Sequence, residues 1–242
     1  MAIDTLYLHI LKKAIDRRRG SDATPLRGLL LGYPELLVPR STLVTMLGES
    51  AMASVPERTD SASIYAFHDL VGVADPLYES LPVLQSMGVD SVVIDVARLR
   101  GMERIVDLNF PLPQDLARSF DLVVDTGTCE HCFNVAQAFA NACEALAAGG
   151  ILVHAAPLTR INHGFWSFNP TVYPDFFEAN GFEVQMLTGV TGTIREGFKP
   201  FNVHPFGRFE APPGAALYVV AQRREILPLK WPTQRKYRDM LK

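Results

Sequence analysis

The sequence predicts an α/β fold built on a doubly wound, mostly parallel sheet. Three observations carry that reading. From residue 91 onward, short apolar runs of strand length alternate with segments of helical spacing. Several runs, "FDLVVDTG" (120–127) above all, are apolar without alternation, as strands buried on both faces are. The helical segments stop at glycines, at Gly149 and Gly150 and again at Gly181. Strands alternating with helices imply a parallel sheet covered on both sides.

The elements follow in order. Residues 1–20 read as a helix, with Ile3, Leu6, Ile10 and Ala14 on one face and a basic run, "RRRG", closing it. It is either a cap over a cleft or dimer face, or a peripheral helix with a solvated basic end. Residues 29–31 form a buried strand ended by Gly32. "RSTLVTML" restarts as a helix with Ser41 as its N-cap. Residues 48–66 are polar and loop-like, and 75–88 read as a helix broken at Pro82. Strands follow at 91–96, 104–109 and 120–127, then a strong helix on Val135, Phe139, Ala142 and Leu146. A strand at 150–157 leads to a helix that Asn169 can cap, with Pro170 in its first turn. The runs "FEVQMLTG" and "ALYVVAQRR" are the last two strands. Residues 195–213 are the one long irregular stretch, and such loops are usually functional or mobile. The basic tail, 225–242, either meets an anionic partner or is solvated.

Bulk composition sets the class. The 242 residues suit one large α/β domain, 48% are hydrophobic and the net charge is −3. That balance favours neither nucleic acid nor an anionic membrane surface. No apolar run reaches transmembrane length, and the N-terminus lacks the order of a signal peptide. Three cysteines make no disulfide framework, so a cytoplasmic protein is expected, with a homo-oligomer left open.

Two of those cysteines, Cys129 and Cys132, stand in a C-x-x-C spacing within "DTGTCEHCFN". A redox pair fits poorly, because the preceding strands run in the wrong order for a thioredoxin-like unit and Glu130 opposes thiolate formation. A structural zinc site needs four ligands, and Cys143 lies eleven residues past Cys132, about 16 Å along a helix. His131, His154 and His163 can converge only through the fold, so no metal is expected from spacing. The positional reading remains: the stretch lies just past the carboxyl end of a strand, where open α/β sheets bind ligands.

"FDLVVDTGTCEHCFNVAQAFANACEALAAGGILVHAAP" and the later "NHGFWSFNPTVYPDFFEANGFEV" resemble class I S-adenosylmethionine-dependent methyltransferases over residues 90–223. The resemblance implies a Rossmann-like sheet with an antiparallel closing strand, S-adenosylmethionine as cofactor and a small-molecule acceptor. The alternative is a methyltransferase-like scaffold that binds a ligand or catalyses another reaction. The departure is the first loop, where "LLLGYPELL" replaces the usual glycine-rich turn and leaves only Gly32. A segment at 41–88 is inserted before the next strand.

The resemblance also distributes roles. Gly32, Tyr33 and Glu35 stand where the methionine part of the cofactor lies. Asp95 stands where a carboxylate accepts from the ribose hydroxyls, or else is a strand-end turn residue. Asp107 and Leu108 fall near the adenine, and Asp125 and Thr126 near the sulfonium. His131 is the first choice of catalytic base, with Glu130 as its orienting partner or substitute and His163 as the second choice. His9, His68, His154 and His204 carry no motif. Phe165, Trp166, Phe168, Phe198, Phe201 and Phe206 form either an aromatic substrate wall or part of the core.

Overall fold

The computed structural model describes residues 2–22, 24–70, 72–73, 75–238 and 240. Its strands are β1 (Ala2–Asp4), β2 (Leu26–Leu31), β3 (Glu35–Leu37), β4 (Val89–Asp95), β5 (Arg104–Ile105), β6 (Phe120–Asp125), β7 (Leu146–Pro157), β8 (Phe182–Thr193), β9 (Gly197–Phe201) and β10 (Ala216–Arg223). Its α-helices are α1 (Thr5–Arg19), α2 (Arg40–Leu47), α3 (Glu49–Met52), α4 (Ser61–Phe67), α5 (Ser80–Ser86), α6 (Val135–Glu144), α7 (Val172–Ala179) and α8 (Arg235–Arg238). Eight strands form one sheet in the order β5-β4-β2-β6-β7-β10-β8-β9. The first five run parallel, and β10 is antiparallel to both β7 and β8. This is the Rossmann-like, doubly wound sheet with an antiparallel closing strand that the sequence predicts.

The unbroken apolar strands now have their reason. Leu30, Val93, Val124, Val153 and Val220 face one layer, which holds α1, α2 and α5. Their neighbours Leu29, Ile94, Val123, Leu152 and Val219 face the other, which holds α6 and α7. Side chains alternate across a strand, so a strand covered on both sides must be apolar at every position.

The N-terminal helix packs on the sheet. Tyr7, Leu8, Leu11 and Ile15 are fully buried against the sheet. Ile3 belongs to β1, which pairs in parallel with β3, and Asp4 caps the helix by accepting the Tyr7 N–H at 2.9 Å. The basic run is not free either: Arg18 pairs with Asp121 of β6 at 2.6 Å, and Arg17 donates to Gln185 of β8 at 2.5 Å.

Other boundaries move for local reasons. Ser41 is not a cap, because α2 already begins at Arg40 with Pro39 before it. Pro82 does not break a long helix; it sits in the first turn of α5, where its missing N–H costs nothing. The α6 helix, with Asn134 at its N-cap, ends at Glu144, before the glycines. Leu146 pairs with Phe120 and Ile151 with Leu122, so residues 147–150 bulge out of the ladder. At Gly150 a Cβ would lie 3.0 Å from the Phe120 and Ala147 carbonyl oxygens, so a side chain there would crowd the bulge. The irregular 195–213 stretch contains β9, which closes a hairpin on β8.

The basic tail folds back onto its own chain. Asn180 accepts the Lys230 N–H at 2.8 Å and returns an amide hydrogen bond to its carbonyl at 3.0 Å. Arg235 pairs with Glu178 at 2.5 Å, and Arg238 pairs with the buried Asp175 at 3.1 Å. No helix among the described residues is long and apolar enough to cross a membrane.

Leu11 lies in the middle of the α1 layer with 0% exposure. Leu11→Ala should cost about 2–5 kcal/mol through lost burial and a cavity. Urea unfolding should show a lower midpoint at unchanged slope; an unchanged midpoint would place α1 outside the cooperative core.

Candidate functional site

The site is built around one turn. At the end of β6, Asp125 is fully buried. Its Oδ1 accepts the N–H of Gly127 at 3.1 Å and of Thr128 at 2.7 Å. Its Oδ2 faces His154 Nδ1 at 2.8 Å, and His154 Nε2 faces the Tyr173 hydroxyl at 3.1 Å. Both ring nitrogens of His154 therefore have a hydrogen-bond partner. Burial opposes ionisation of Asp125, but the His154 ring and the turn hydrogen bonds outweigh it and hold the carboxyl below its ordinary value. The Thr128 hydroxyl donates to the Leu31 carbonyl, tying the turn to the end of β2.

The same turn presents Glu130 and His131. Cys129–His131 form a single 3₁₀ turn. Glu130 is almost fully buried, and its carbonyl accepts the Phe165 N–H at 2.9 Å. Two glycines make this possible. A Cβ on Gly127 would lie 2.8 Å from Glu130 Oε1, and one on Gly164 would lie 2.8 Å from the Glu130 carbonyl oxygen. "GTCEH" and "NHGFW" are therefore two halves of one interlock. It brings the His131 and His163 rings to 5.3 Å and sets His163 Nε2 at 3.6 Å from Glu130 Oε1. Partial burial and the nearby His163 hold the His131 imidazole below its ordinary value, although Glu130 pulls the other way. The structure thus gathers all three residues expected to be catalytic.

A cavity of about 150 Å³ opens beside them, between the ends of β6 and β7 and the β8–β9 hairpin. Glu130, His163, Thr126, Asp4, Arg160 and Tyr218 are among its lining residues. The Tyr218 hydroxyl donates to Asp4, yet burial keeps that carboxyl above its ordinary value. Sequence reasoning missed Asp4, His68, Arg160 and Tyr218. Asp4 and Tyr218 are 214 positions apart, and no local pattern links them. Of the six aromatics expected as a wall, only Phe198 lines this cavity. Phe168 is core, Phe206 lies under the Arg235 guanidinium, and Phe165 and Trp166 are exposed beside Phe133.

The residues expected around the cofactor are scattered in role. Asp95 ends β4; its Oδ1 accepts the Ala97 N–H at 3.2 Å, and its Oδ2 has no partner among the described residues. Exposed Val96 and Leu99 follow it, and exposed Phe110 follows β5. This edge fits the ribose and adenine of S-adenosylmethionine: a carboxylate oxygen for the diol, with apolar surface beside it. The other residues expected around the cofactor make contacts within the protein. Asp125 offers a ligand no side-chain oxygen, because both are spent inside the turn. Leu108 is buried under α6, where its carbonyl accepts from Asn141. Tyr33 packs beneath Arg100, with its ring centroid 5.0 Å from the guanidinium carbon, and donates its hydroxyl to Glu79. Glu35 is paired with His68 at 2.5 Å. Asp107 is exposed and folds its own turn by accepting the Asn109 N–H at 2.9 Å. Gly32 has φ +78° and gives its N–H to Ile94 at 2.8 Å, while Thr126 lines the cavity. The loop after β2 is therefore filled by side chains that bond within the protein.

The cysteines are packing residues. All three are free and buried. Burial first, then the nearby Asp125 carboxylate, pushes the Cys132 thiol up to about 11 and raises Cys129 further. Neither behaves as a reactive thiolate.

No protein-family model and no curated protein matches the chain. Solved structures similar to it include the N-methyltransferase NodS from Bradyrhizobium japonicum WM9 in complex with S-adenosyl-L-homocysteine, at 14% identity over 90% of this chain and 88% of that one, with a TM-score of 0.46. The Burkholderia thailandensis 1,6-didemethyltoxoflavin-N1-methyltransferase is 11% identical over 91% of this chain and 88% of that one, with a TM-score of 0.43. The [4+2]-cyclase SpnF is 12% identical over 88% and 80%, also with a TM-score of 0.43.

His154→Phe would leave the Asp125 carboxylate buried without its imidazole, and should destabilise the protein by about 3–5 kcal/mol in chemical denaturation. A loss under about 1 kcal/mol would show that the turn amides suffice on their own. Because the folded-state value of Asp125 is depressed, its contribution is present above the unfolded value of 3.8 and lost as pH falls through the lower folded value. Thermal scans from pH 5 to pH 2.5 should show the melting temperature of the wild type dropping below about pH 4.

Proposed function

We propose that this protein transfers a methyl group from S-adenosylmethionine to a small-molecule acceptor held in the cavity beside Glu130 and His163. One observation carries the reading. The fold sets a carboxylate–imidazole cluster and a small cavity at the carboxyl ends of β6 and β7, while Asp95 stands with an unpaired oxygen at the end of β4 in the same sheet. Ligands of open α/β sheets bind along this edge.

When bound, S-adenosylmethionine supplies a methyl group already activated by its sulfonium. The protein's task is then alignment, exclusion of water and removal of a proton from the acceptor. Asp95 is assigned the ribose hydroxyls, and Val96 and Leu99 the apolar contact next to them. Thr126, Phe198 and Arg160 border the acceptor. The cluster of Glu130, His131 and His163 handles the acceptor's proton: burial lowers the His131 imidazole from its ordinary value, and Glu130 lies packed against Gly127 and Gly164. The cavity is smaller than the several hundred Å³ of a typical drug-sized pocket, which favours a compact acceptor or one reacting group of a larger one.

A second reading rests on the filled first loop. Tyr33, with Glu79 and Arg100, occupies the place of the glycine turn. A scaffold that keeps the sheet and the cavity but uses another ligand accounts for that filling.

Calorimetric titration with S-adenosylmethionine and with its demethylated product separates the two. The first reading expects saturable heat with both, and an affinity about 10–100-fold weaker in Asp95→Ala from the loss of charge-assisted hydrogen bonds. No heat at millimolar ligand would sink it and leave the second reading standing. Binding unchanged in Asp95→Ala would put the ribose elsewhere.

A further inference from the structure

The cluster at the cavity mouth has a feature that proton transfer alone does not require. Glu130 is 1% exposed, yet its Oε2 is buried with no hydrogen-bond partner among the described residues. Its Oε1 lies 3.6 Å from His163 Nε2, too long for a hydrogen bond. A buried carboxylate oxygen left unpaired costs free energy unless something charged or hydrogen-bonding meets it. One ligand atom each from Glu130, His131 and His163 lies within 4.8 Å of the other two. Donors about 2.1 Å from a shared tetrahedral ion are separated by about 3.4 Å, so small rotations of the two exposed imidazoles close the set.

We propose that Glu130, His131 and His163 bind a divalent transition-metal ion, zinc or a cation of similar preference, on the wall of the cavity. Two imidazoles and one carboxylate suit such an ion and leave coordination positions open. Those positions face solvent and the cavity that Glu130 and His163 line, so the further ligands are water and an oxygen or nitrogen of the bound molecule. The Phe165 N–H holds the Glu130 backbone carbonyl, and Gly127 and Gly164 leave room for the residue, with Glu130 Oε1 beside Gly127. The other clustered set, Asp125, Cys129 and His154, is sealed at 0% exposure and already satisfies itself, so it offers an ion no open position.

A consequence for acceptor chemistry rests on the methyl-transfer reading; the ion site itself does not. An ion here would polarise the acceptor's oxygen or nitrogen directly and acidify it, so that its proton passes to solvent water instead of to an imidazole.

The test is titration of the whole chain, freed of metal by dialysis against chelator, with zinc by calorimetry and with cobalt by visible absorption. One ion per chain is expected, together with cobalt ligand-field bands. His131→Ala and His163→Ala should each weaken binding at least tenfold, and Glu130→Gln should do the same. His204→Ala should bind like the wild type. Circular dichroism and melting temperature of the two exposed histidine variants should match the wild type, so their loss of binding reports ligation and not unfolding. The proposal is overturned if the wild type takes up no ion at millimolar metal, or if the His131→Ala/His163→Ala double variant binds as well as the wild type. S-adenosylmethionine titration with and without the ion is read separately: its failure removes the methyl-transfer reading and leaves the ion site intact, and the reverse also holds.

Discussion

A carboxylate with no exposed surface anchors the functional edge of this protein. Asp125 ends β6 in the middle of the sheet, and its two oxygens divide the work. One gathers the amides of Gly127 and Thr128 and so shapes the turn; the other reaches His154 on β7 and, through it, Tyr173 on α7. A buried charge of this kind persists only when it is fully hydrogen-bonded. The turn must hold its shape to keep Asp125 satisfied, and the position of Glu130 follows from the shape of the turn.

From that anchor the site grows by contact between distant loops. Glu130 sits where Gly127 and Gly164 lack side chains, and its carbonyl fixes the Phe165 amide. The segment after β7 is thereby clamped to the segment after β6, with His163 beside His131. The far wall comes from chain ends. Asp4 both caps α1 and accepts from Tyr218 of β10, so the N-terminal strand, the first helix and the closing strand are joined at the cavity. The Tyr7 hydroxyl, donated to the Val153 carbonyl at 2.8 Å, adds a second tie between α1 and β7.

The opposite half of the edge is organised differently. Where a glycine turn would let a ligand approach the backbone, Tyr33 lies under Arg100 and bonds Glu79, which itself pairs with Arg100. The segment between β3 and β4 supplies Glu79, and His68 from α4's C-terminal end pairs with Glu35. The segment between β3 and β4 therefore packs around the loop that follows β2. Two neighbouring strand ends thus differ in character: Asp95 has one oxygen without a partner among the described residues, while Tyr33 and Glu35 bond within the protein.

By itself, the sequence determined what depends on local periodicity and local chemistry. Unbroken apolar runs gave strands buried on both faces, helical spacing gave α6 and α7, and "GTCEH" and "NHGFW" marked the two turns that carry the site. It also spoke against a redox pair at Cys129 and Cys132. It placed Gly149 and Gly150 wrongly, because a bulge is decided by the partner strand, and it treated the first helix and the tail as surface features, because burial depends on what packs against them. It passed over His154, a lone histidine in an apolar strand, although that ring is the partner of Asp125. Only the tertiary structure decided that Asp4, Tyr218, Glu130 and His163 border one cavity and that the oxygens of Asp125 face inward. Those facts depend on contacts between residues tens to hundreds of positions apart, where hydrogen-bond satisfaction and close packing choose among arrangements that no local pattern distinguishes.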